Sequence, residues 1–341
     1  MVAYFIRRLL LMIPTLLGVT FLVFTITRFV PGGPIDQMIV KSQQGAIGEG
    51  GSNSDGSSVA IPPEVLEELK KQYHLDKPVW KAYLLWLKDL IKLDLGKSYK
   101  YNTPVVGVIA VRFPISIYFG LIGFLLAYLV CIPLGVTKAI KHGSSFDLIS
   151  SSVVFIGYSI PGWALGAILL VMLGGGSFFD LVPLGGFRSE NWAQLNLLEK
   201  IIDQAHHTML PVIAYAMGSF ASLTILTKNS LMENLGHDYV RTAFAKGLSE
   251  KRVIFVHALR NSLIPLCTGL GHAIGILMAG SYLIEKVFNI DGIGYLGYTS
   301  IIERDYAVVM GVLVINTLLI LLGNILSDIL YVIADPRIRF Q

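Results

Sequence analysis

The sequence predicts an all-α membrane protein with six transmembrane helices. Of its 341 residues, 54% are hydrophobic and only 15% are charged, which is too apolar for an ordinary soluble chain of this length. A helix needs about 20 apolar residues to cross the hydrocarbon core. Six stretches approach that length, at residues 9–29, 113–137, 148–173, 207–227, 262–285 and 306–334. These stretches are expected to be helical, because lipid offers an open backbone group no hydrogen-bond partner.

Basic residues in the short loops orient the predicted helices. With the N-terminus inside, most Lys and Arg fall on the cytoplasmic side, and the two short outer loops receive only Arg188, Lys200, Lys286 and Arg304. Both termini are therefore predicted to be cytoplasmic, in a multi-pass inner (plasma) membrane protein. The apolar run after Arg7 and Arg8 exceeds the h-region of a signal peptide, so we expect a retained first span.

Proline and glycine mark two of the predicted spans. Pro161, within GYSIPGWALG, predicts a kink with close helix contact. Gly271 and Gly275 repeat the spacing of small residues that lets two helix backbones approach. Packing alone and a flexing path lined by these helices both remain open as explanations. Cys131 and Cys267 fall inside spans and are expected to be buried thiols that form no disulfide.

The predicted domain organisation places a long insertion after the first span. Residues 1–30 form the N-terminal helix, 31–112 an extracytoplasmic insertion, 113–335 the core with a cytoplasmic loop at 228–261, and 336–341 a cytoplasmic tail. Within the insertion, the Gly- and Ser-rich residues 41–60 predict a flexible loop. Two amphipathic helices are expected to follow. Their exposed aromatic residues are candidates for docking a partner, with a plain structural lid as the alternative: Trp80, Tyr83 and Trp86.

The charged stretch YVRTAFAKGLSEKRVIFVHALRNSLIP, residues 239–265, predicts a helix, a glycine turn and a second helix. The first helix is expected from about Asp238, Gly247 fits the left-handed position that ends helices, and Ser249 is a natural N-cap. The small residues Ala243 and Gly247 predict a bare face that another protein can approach closely. A helix resting on the bilayer surface is the alternative.

This stretch resembles the loop motif of permease subunits of ABC importers, in which Ala, Gly four residues later and a downstream Pro mark the helix that couples to the ATPase. Arg241-Thr242-Ala243 stands where the family usually has Glu-Ala-Ala, as in peptide-type members. The segments YFIRRLLLMIPTLLGVT, FVPGGP and NILSDILYVIADPRIRF are similar to dipeptide and oligopeptide permeases. The glycine-rich insertion and GGGSFFDLVPLGG resemble the YejB-type branch, which is implicated in uptake of peptides and microcin C.

The resemblance implies a type I ABC importer permease fold and a peptide-transport function. It implies a second permease, one or two ATPase subunits or domains, a soluble peptide-binding protein, a peptide substrate and surrounding lipid as partners, with no nucleic acid. ATP and Mg²⁺ would bind to the ATPase, because the chain has no GxxxxGK[S/T] phosphate loop. No cofactor, metal or catalytic residue is expected in this chain. The residues implied to contact the ATPase are Tyr239, Arg241, Thr242, Ala243, Lys246 and Gly247.

Candidates for the translocation path rest on residue type and depth alone. Aromatic and uncharged polar side chains suit peptides of varied sequence, which favours Tyr158, Ser159, Trp163, His272 and Asn316. Helix packing is the alternative for each of them. An ion-coupled secondary transporter is the main rival function, but it normally keeps carboxylates near mid-membrane, where this chain has none. A membrane enzyme is a second rival, although the GxSxG and HExxH motifs are both absent.

Overall fold

A computed structural model describes residues 2–30, 76–176, 178–267 and 280–334, together with residues 33, 67 and 275. Several predicted features lie outside the described residues, namely the flexible loop at 41–60, the helix expected before residue 76, Gly271, His272 and the tail at 336–341. The described part of the chain is helical and contains no strand, only two isolated bridges, so the predicted all-α class is confirmed.

Twelve α-helical segments are numbered here in chain order, within the described ranges. They are α1 (Val2–Phe29), α2 (Val79–Ile91), α3 (Val105–Ile140), α4 (Ser145–Ser159), α5 (Gly162–Leu173), α6 (Leu197–Leu235), α7 (Asp238–Ala245), α8 (Glu250–Arg252), α9 (Leu259–Ser262), α10 (Tyr282–Val287), α11 (Ile293–Ile302) and α12 (Tyr306–Ala334). A π-helical turn, Val253–Ala258, joins α8 to α9, and a short 3₁₀ turn, Trp192–Gln194, precedes α6.

Four of these helices, α1, α3, α6 and α12, are long and apolar enough to cross a membrane. The predicted span at 148–173 is instead two helices, α4 and α5, that meet at an angle of 93°. Pro161 explains the break, because its ring cannot continue a helix and the residue before it is pushed to extended backbone. The predicted span at 262–285 is interrupted by residues 268–274 and 276–279, which lie outside the described residues, so four or five spans are seen in the described part.

The chain divides into two compact units. The first comprises Met1–Leu9, Arg112–Tyr295 and Leu318–Gln341, and the second comprises Leu10–Val111 and Leu296–Thr317. The main core of the first unit is built on Phe119, Leu210, Tyr215 and Phe288. The core of the second unit is built on Phe24, Ala82, Tyr83 and Met310.

Glycine allows α5 to pack closely against α6 in the first unit. A Cβ on Gly166 would lie 3.1 Å from the Cβ of Ala214 and 2.9 Å from the ring of Phe288. A Cβ on Gly162 would collide with the carbonyl oxygen of Ala214. Close helix contact, which the sequence predicted for this segment, is therefore confirmed, and it fixes α5 against α6 beyond the bend.

Candidate functional site

The segment from α7 to Gly247 forms a complete helix terminus. Gly247 has φ +76°, and its N–H donates to the carbonyl of Phe244 at 2.9 Å. The N–H of Leu248 donates to the carbonyl of Ala243 at 3.3 Å. These two bonds make up a Schellman motif, which satisfies the last carbonyls of the helix and needs a left-handed residue. The predicted start of this helix and the predicted position of Gly247 are confirmed.

The inner face of α7 rests on the ends of α3 and α6. Val240 and Ala243 are buried, and they belong to a hydrophobic cluster of eight buried side chains: Val136, Ala139, Leu231, Val240, Ala243, Val253, Ile254 and Ala258. The predicted bare outer face containing Ala243 is therefore wrong. A small side chain at position 243 is required underneath the helix, because it lets the α7 backbone approach the helices below.

The outer face of α7 carries the remaining predicted contact residues. Tyr239 is 38% exposed and Phe244 is 47% exposed. Arg241, Thr242, Lys246 and Gly247 are also exposed, and nothing lies within 4 Å of the position that a Cβ on Gly247 would occupy. The Tyr239 hydroxyl donates to Asn234 Oδ1 at 2.8 Å. This face offers two exposed aromatic rings and an arginine, residue types that are enriched at protein interfaces.

The second helix of the motif starts at Ser249, as the sequence predicted, but its side chain makes no capping bond. Residues Val253–Ala258 then form a π-helical turn, a rare local structure that often occurs at functional sites. The turn is anchored from below, because Val253, Ile254 and Ala258 are buried beside α7. Farther along, Ser230 Oγ donates to the Ser262 carbonyl at 2.9 Å and so ties α6 to α9.

A buried charge cluster beside this loop was missed by the sequence reasoning. Asp147 at the start of α4 lies 2.7 Å from the ammonium of Lys228 and 3.3 Å from that of Lys138. The Lys138 ammonium also donates to Ser150 Oγ, Ser151 Oγ and the Asp147 carbonyl. Lys138 lies on α3 and Lys228 on α6, so no pattern within one helix indicated that they share one carboxylate.

Three predicted path residues lie together at the bend between α4 and α5. Tyr158 and Trp163 are 59% and 41% exposed, and Ser159 is also exposed. The Ser159 hydroxyl donates back to the Phe155 carbonyl at 2.9 Å, so it completes its own helix end. Non-helical backbone at membrane depth must be covered by protein or line a polar cavity. The bend is thus a place where this chain needs a neighbour or water.

Asn316, another predicted path residue, lies in α12 in the second unit. Its Oδ1 atom is buried and has no hydrogen-bond partner among the residues that the structure describes. A buried amide oxygen without a partner costs roughly 1 to 3 kcal/mol. Such an atom is uncommon and calls for an explanation such as a ligand, water or neighbouring chain. His272, the fifth predicted path residue, lies outside the described residues.

The three predicted docking residues of α2 occupy different environments. Tyr83 is only 7% exposed, and its hydroxyl donates to the Leu17 carbonyl at 2.9 Å. Trp86 packs its ring on Phe24, with 6.0 Å between ring centroids. Tyr83 is therefore not a surface residue, because its ring packs on Phe21 and Phe24 of α1 and its hydroxyl finds an acceptor on the same helix. Trp80 remains 62% exposed.

An ion-coupled transporter would need carboxylates that are free to bind the driving ion. The two carboxylates at the ends of predicted spans in the first unit, Glu285 and Asp328, already have partners within the protein. Glu285 is fully buried and accepts from Ser116 Oγ at 2.8 Å and from the Tyr295 N–H at 2.6 Å. Asp328 lies 2.9 Å from the guanidinium of Arg8. Both carboxylates have partners that fix local structure, which gives no support to an ion-coupled transporter.

A cluster of Ser189, Asp203 and His207 contains the residue types of a hydrolase triad but in another arrangement. Ser189 Oγ donates to the Asp203 carboxylate and lies 3.2 Å from His207 Nε2, while His207 Nδ1 lies 3.1 Å from the Gly186 carbonyl. In a triad the histidine lies between serine and carboxylate. Here the serine takes that place and ties the loop before α6 to the helix. No group of three metal-ligating side chains is present in the described residues.

Comparison with known proteins identifies the family. Residues 131–340 match the family described as "Binding-protein-dependent transport system inner membrane component". The chain belongs to this permease family. The match covers α7, Gly247 and the π-helical turn, so the loop singled out above lies within the family's own domain. With the long apolar helices, it makes the protein a multi-pass inner membrane permease rather than a catalytic enzyme.

Similar permeases match over nearly their whole length. The chain is 42% identical to the inner membrane ABC transporter permease protein YejB of Escherichia coli, over 99% of each chain. It is 39% identical to the peptidoglycan transport system permease protein YejB of Agrobacterium fabrum, over 99% of this chain and 98% of that one. It is 36% identical to the oligopeptide transport system permease protein AppB of Bacillus subtilis, over 100% of both chains. The predicted resemblance to peptide-type ABC permeases is confirmed.

Proposed function

We propose that this permease forms half of the translocation path of an ABC importer for peptides. Relatives named for oligopeptide, dipeptide and peptidoglycan transport support a substrate with a peptide portion. A second permease completes the path, cytoplasmic ATPases bind ATP and Mg²⁺, and a soluble binding protein delivers the peptide. Microcin C, a peptide antibiotic, is a further candidate substrate by the resemblance to the YejB branch.

The single observation that supports this function best is the exposed face of α7 above a buried base. Tyr239, Arg241 and Phe244 offer aromatic and cationic contacts to a partner, while Val240 and Ala243 lock the helix to the transmembrane helices below. A partner that moves α7 therefore moves the ends of α3 and α6 with it. A helix built this way suits the transfer of motion from an ATPase to a membrane path.

The proposed path includes the bend between α4 and α5. Tyr158, Ser159 and Trp163 surround the break in the helix in the first unit. Asn316, in the second unit, is a separate candidate, because its buried amide oxygen lacks a partner among the described residues. These side chains carry no formal charge, so they can contact peptides of varied sequence without selecting one charge. In the orientation that we propose, both termini and α7 lie in the cytoplasm.

The function is tested by measuring peptide uptake and ATP hydrolysis in vesicles that contain the assembled transporter. We expect Arg241→Glu combined with Phe244→Ala to reduce peptide-stimulated ATP hydrolysis and uptake together by tenfold or more, with the complex still in the membrane. Lys200→Glu is a matched control, because this charge lies at the opposite end of α6 from α7.

Two results would count against the proposal. Normal uptake in the double variant would show that α7 does not couple the ATPase to the path. Uptake driven by a proton gradient in the absence of ATP would instead favour the ion-coupled rival. Measuring uptake of microcin C in place of simple peptides, in the same vesicles, tests whether it is a substrate.

A further inference from the structure

The helix α2 presents two stripes of exposed side chains that its packing against α1 does not use. Trp80, Leu84 and Ile91 are 62%, 56% and 83% exposed and lie within about 40° of one another around the helix. Lys81 and Lys88 of α2, and Lys92 at its C-cap, are exposed and form a second stripe roughly 80° further round. None of the three lysines forms a salt bridge among the described residues.

The contact between α2 and α1 places these stripes at a definite height on a membrane span. Tyr83, on the inner face of α2, hydrogen-bonds to Leu17 and lies 2.9 Å from Thr20 Oγ1. At 1.5 Å per residue, Thr20 is about 14 Å below the end of α1 at Phe29. The ring of Tyr83 reaches inward from α2 to this depth, because Tyr83 and Trp86 also pack on Phe24, at 5.5 Å and 6.0 Å between ring centroids. Phe24 is about 8 Å below Phe29. With the roughly 42 Å of α1 centred on a hydrocarbon core about 30 Å thick, Phe24, and with it α2, lies near the outer edge of the core.

The apolar surface of α1 continues onto α2. Phe21 lies 5.1 Å from the Tyr83 ring between centroids and is still 44% exposed, and Leu22 and Ile26 nearby are 57% and 51% exposed. Only 11% of the apolar window of α1 is buried within the protein, so most of its surface faces lipid or another chain. Because α2 packs against this part of α1, its outer face is exposed to the same lipid or neighbouring chain as α1.

We propose that α2 lies in the membrane interface, with Trp80, Leu84 and Ile91 among the outer ends of the acyl chains and its three lysines on anionic phospholipid headgroups. An apolar stripe beside a lysine stripe is typical of interfacial helices, and tryptophan is favoured at headgroup depth. Each lysine near an anionic surface contributes about 1 kcal/mol to its attraction. A lipid contact also accounts for the exposed Trp80 without a docked protein.

Spin labels test the depth of the two stripes in the assembled transporter. Cysteine is introduced by Leu84→Cys or Lys88→Cys in a chain with Cys131→Ala and Cys267→Ala, and vesicles of phosphatidylcholine and phosphatidylglycerol are used. We expect the label at 84 to collide mainly with dissolved oxygen, and the label at 88 mainly with a water-soluble nickel chelate. Equal access of nickel to both positions would overturn the proposal.

The same spin-labelled samples show whether lipid or the binding protein contacts the apolar stripe of Trp80, Leu84 and Ile91. Saturating binding protein is expected to leave the mobility of the label at 84 unchanged. Immobilisation of that label, with loss of its collisions with nickel, would assign Trp80, Leu84 and Ile91 to protein docking instead. Both labelled positions are exposed, so the folded chain tolerates them.

The lysine stripe is tested by the response to anionic lipid. In nanodiscs, phosphatidylglycerol is expected to raise the thermal midpoint of the transporter. Replacing Lys81, Lys88 and Lys92 together by Gln should remove at least half of that gain, whereas Lys200→Gln should keep it. A gain that is the same in all three proteins would overturn the headgroup contact.

Discussion

The carboxylate of Asp147 lies 2.7 Å from the ammonium of Lys228, a residue 81 positions later in the chain. Lys138, which is 1% exposed, is the second cation on the same carboxylate. We predict that Asp147→Asn destabilises the permease by about 3 to 5 kcal/mol, because two largely buried ammonium groups lose their only carboxylate among the described residues. Thermal unfolding of the detergent-purified complex measures this loss.

A second change checks the cause of that loss. Replacing Lys228 by Met in the Asp147→Asn protein removes one of the stranded cations while keeping the volume of its side chain. We expect the double variant to recover part of the lost stability, as a double-mutant cycle detects. If the two changes were simply additive, the contact between Asp147 and Lys228 would not be the source of the effect.

Gly247 is predicted to be sensitive to backbone conformation rather than to side-chain volume. Its φ of +76° costs a branched residue roughly 1 to 2 kcal/mol, although open space surrounds the position. Gly247→Val should therefore loosen α7 and lower peptide uptake, whereas Gly247→Asn should keep most of it, because Asn tolerates this conformation. Equal uptake in the two variants would mean that the left-handed turn has no part in coupling.

A substitution at Asn316 distinguishes a role in helix packing from a role in peptide transport. Asn316→Leu fills a similar volume and removes the buried oxygen that has no partner in the described part of the chain. We expect the thermal midpoint to stay the same or rise, and uptake of peptides to fall several-fold. Full uptake in a complex of unchanged stability would return Asn316 to a packing role. Membrane level and assembly are measured in the same samples.

Asp305 predicts a dependence of stability on pH. Burial raises the pKa of this carboxyl, while hydrogen bonds from Ser98 Oγ and from the backbone N–H groups of Lys100 and Val308 oppose the rise. The folded chain then holds the proton more tightly than the unfolded one. The contribution of Asp305 to the free energy of unfolding is fully present below pH 3.8, the ordinary pKa of the carboxyl. It is lost as the pH rises through the raised pKa of the folded state.

The test of Asp305 compares slopes rather than absolute stabilities. The thermal midpoint of the Asp305→Asn protein should depend less on pH in this acidic range than that of the original chain. Glu303→Gln is the control, because Glu303 is a neighbouring carboxylate whose side chain is 37% exposed. An unchanged slope in Asp305→Asn would assign the pH dependence to other groups.

The helices and the glycine turn could be predicted from the sequence because they depend on local chemistry. Long apolar runs, Pro161 and the spacing from Asp238 to Gly247 each act through neighbouring residues. The size of the bend at Pro161 could not be predicted, since proline only disfavours the helix and packing of α5 on α6 sets the new direction. Gly162 and Gly166 suggested the close contact but not its partner.

Contacts between distant segments account for the errors. The sequence shows that Ala243 is small, but only the cluster below α7 decides which way it points. Tyr83 was expected on the surface because an isolated amphipathic helix has no partner, whereas α1 buries its ring. The Asp147 cluster joins three helices, and no periodicity within one helix signals such an arrangement.

The buried underside of α7 has a mechanical consequence. The Schellman turn closes one end of α7, and Val240 and Ala243 belong to the same buried cluster as Leu231 and Val136. This arrangement makes α7 a stiff element rather than a flexible tether. A push on Phe244 is transmitted through close-packed side chains, which resist compression, to the membrane helices. If α7 couples an ATPase to the path, as we propose, little of the ATPase's movement would be absorbed within the loop, and any elastic deformation would occur in other parts of the transporter.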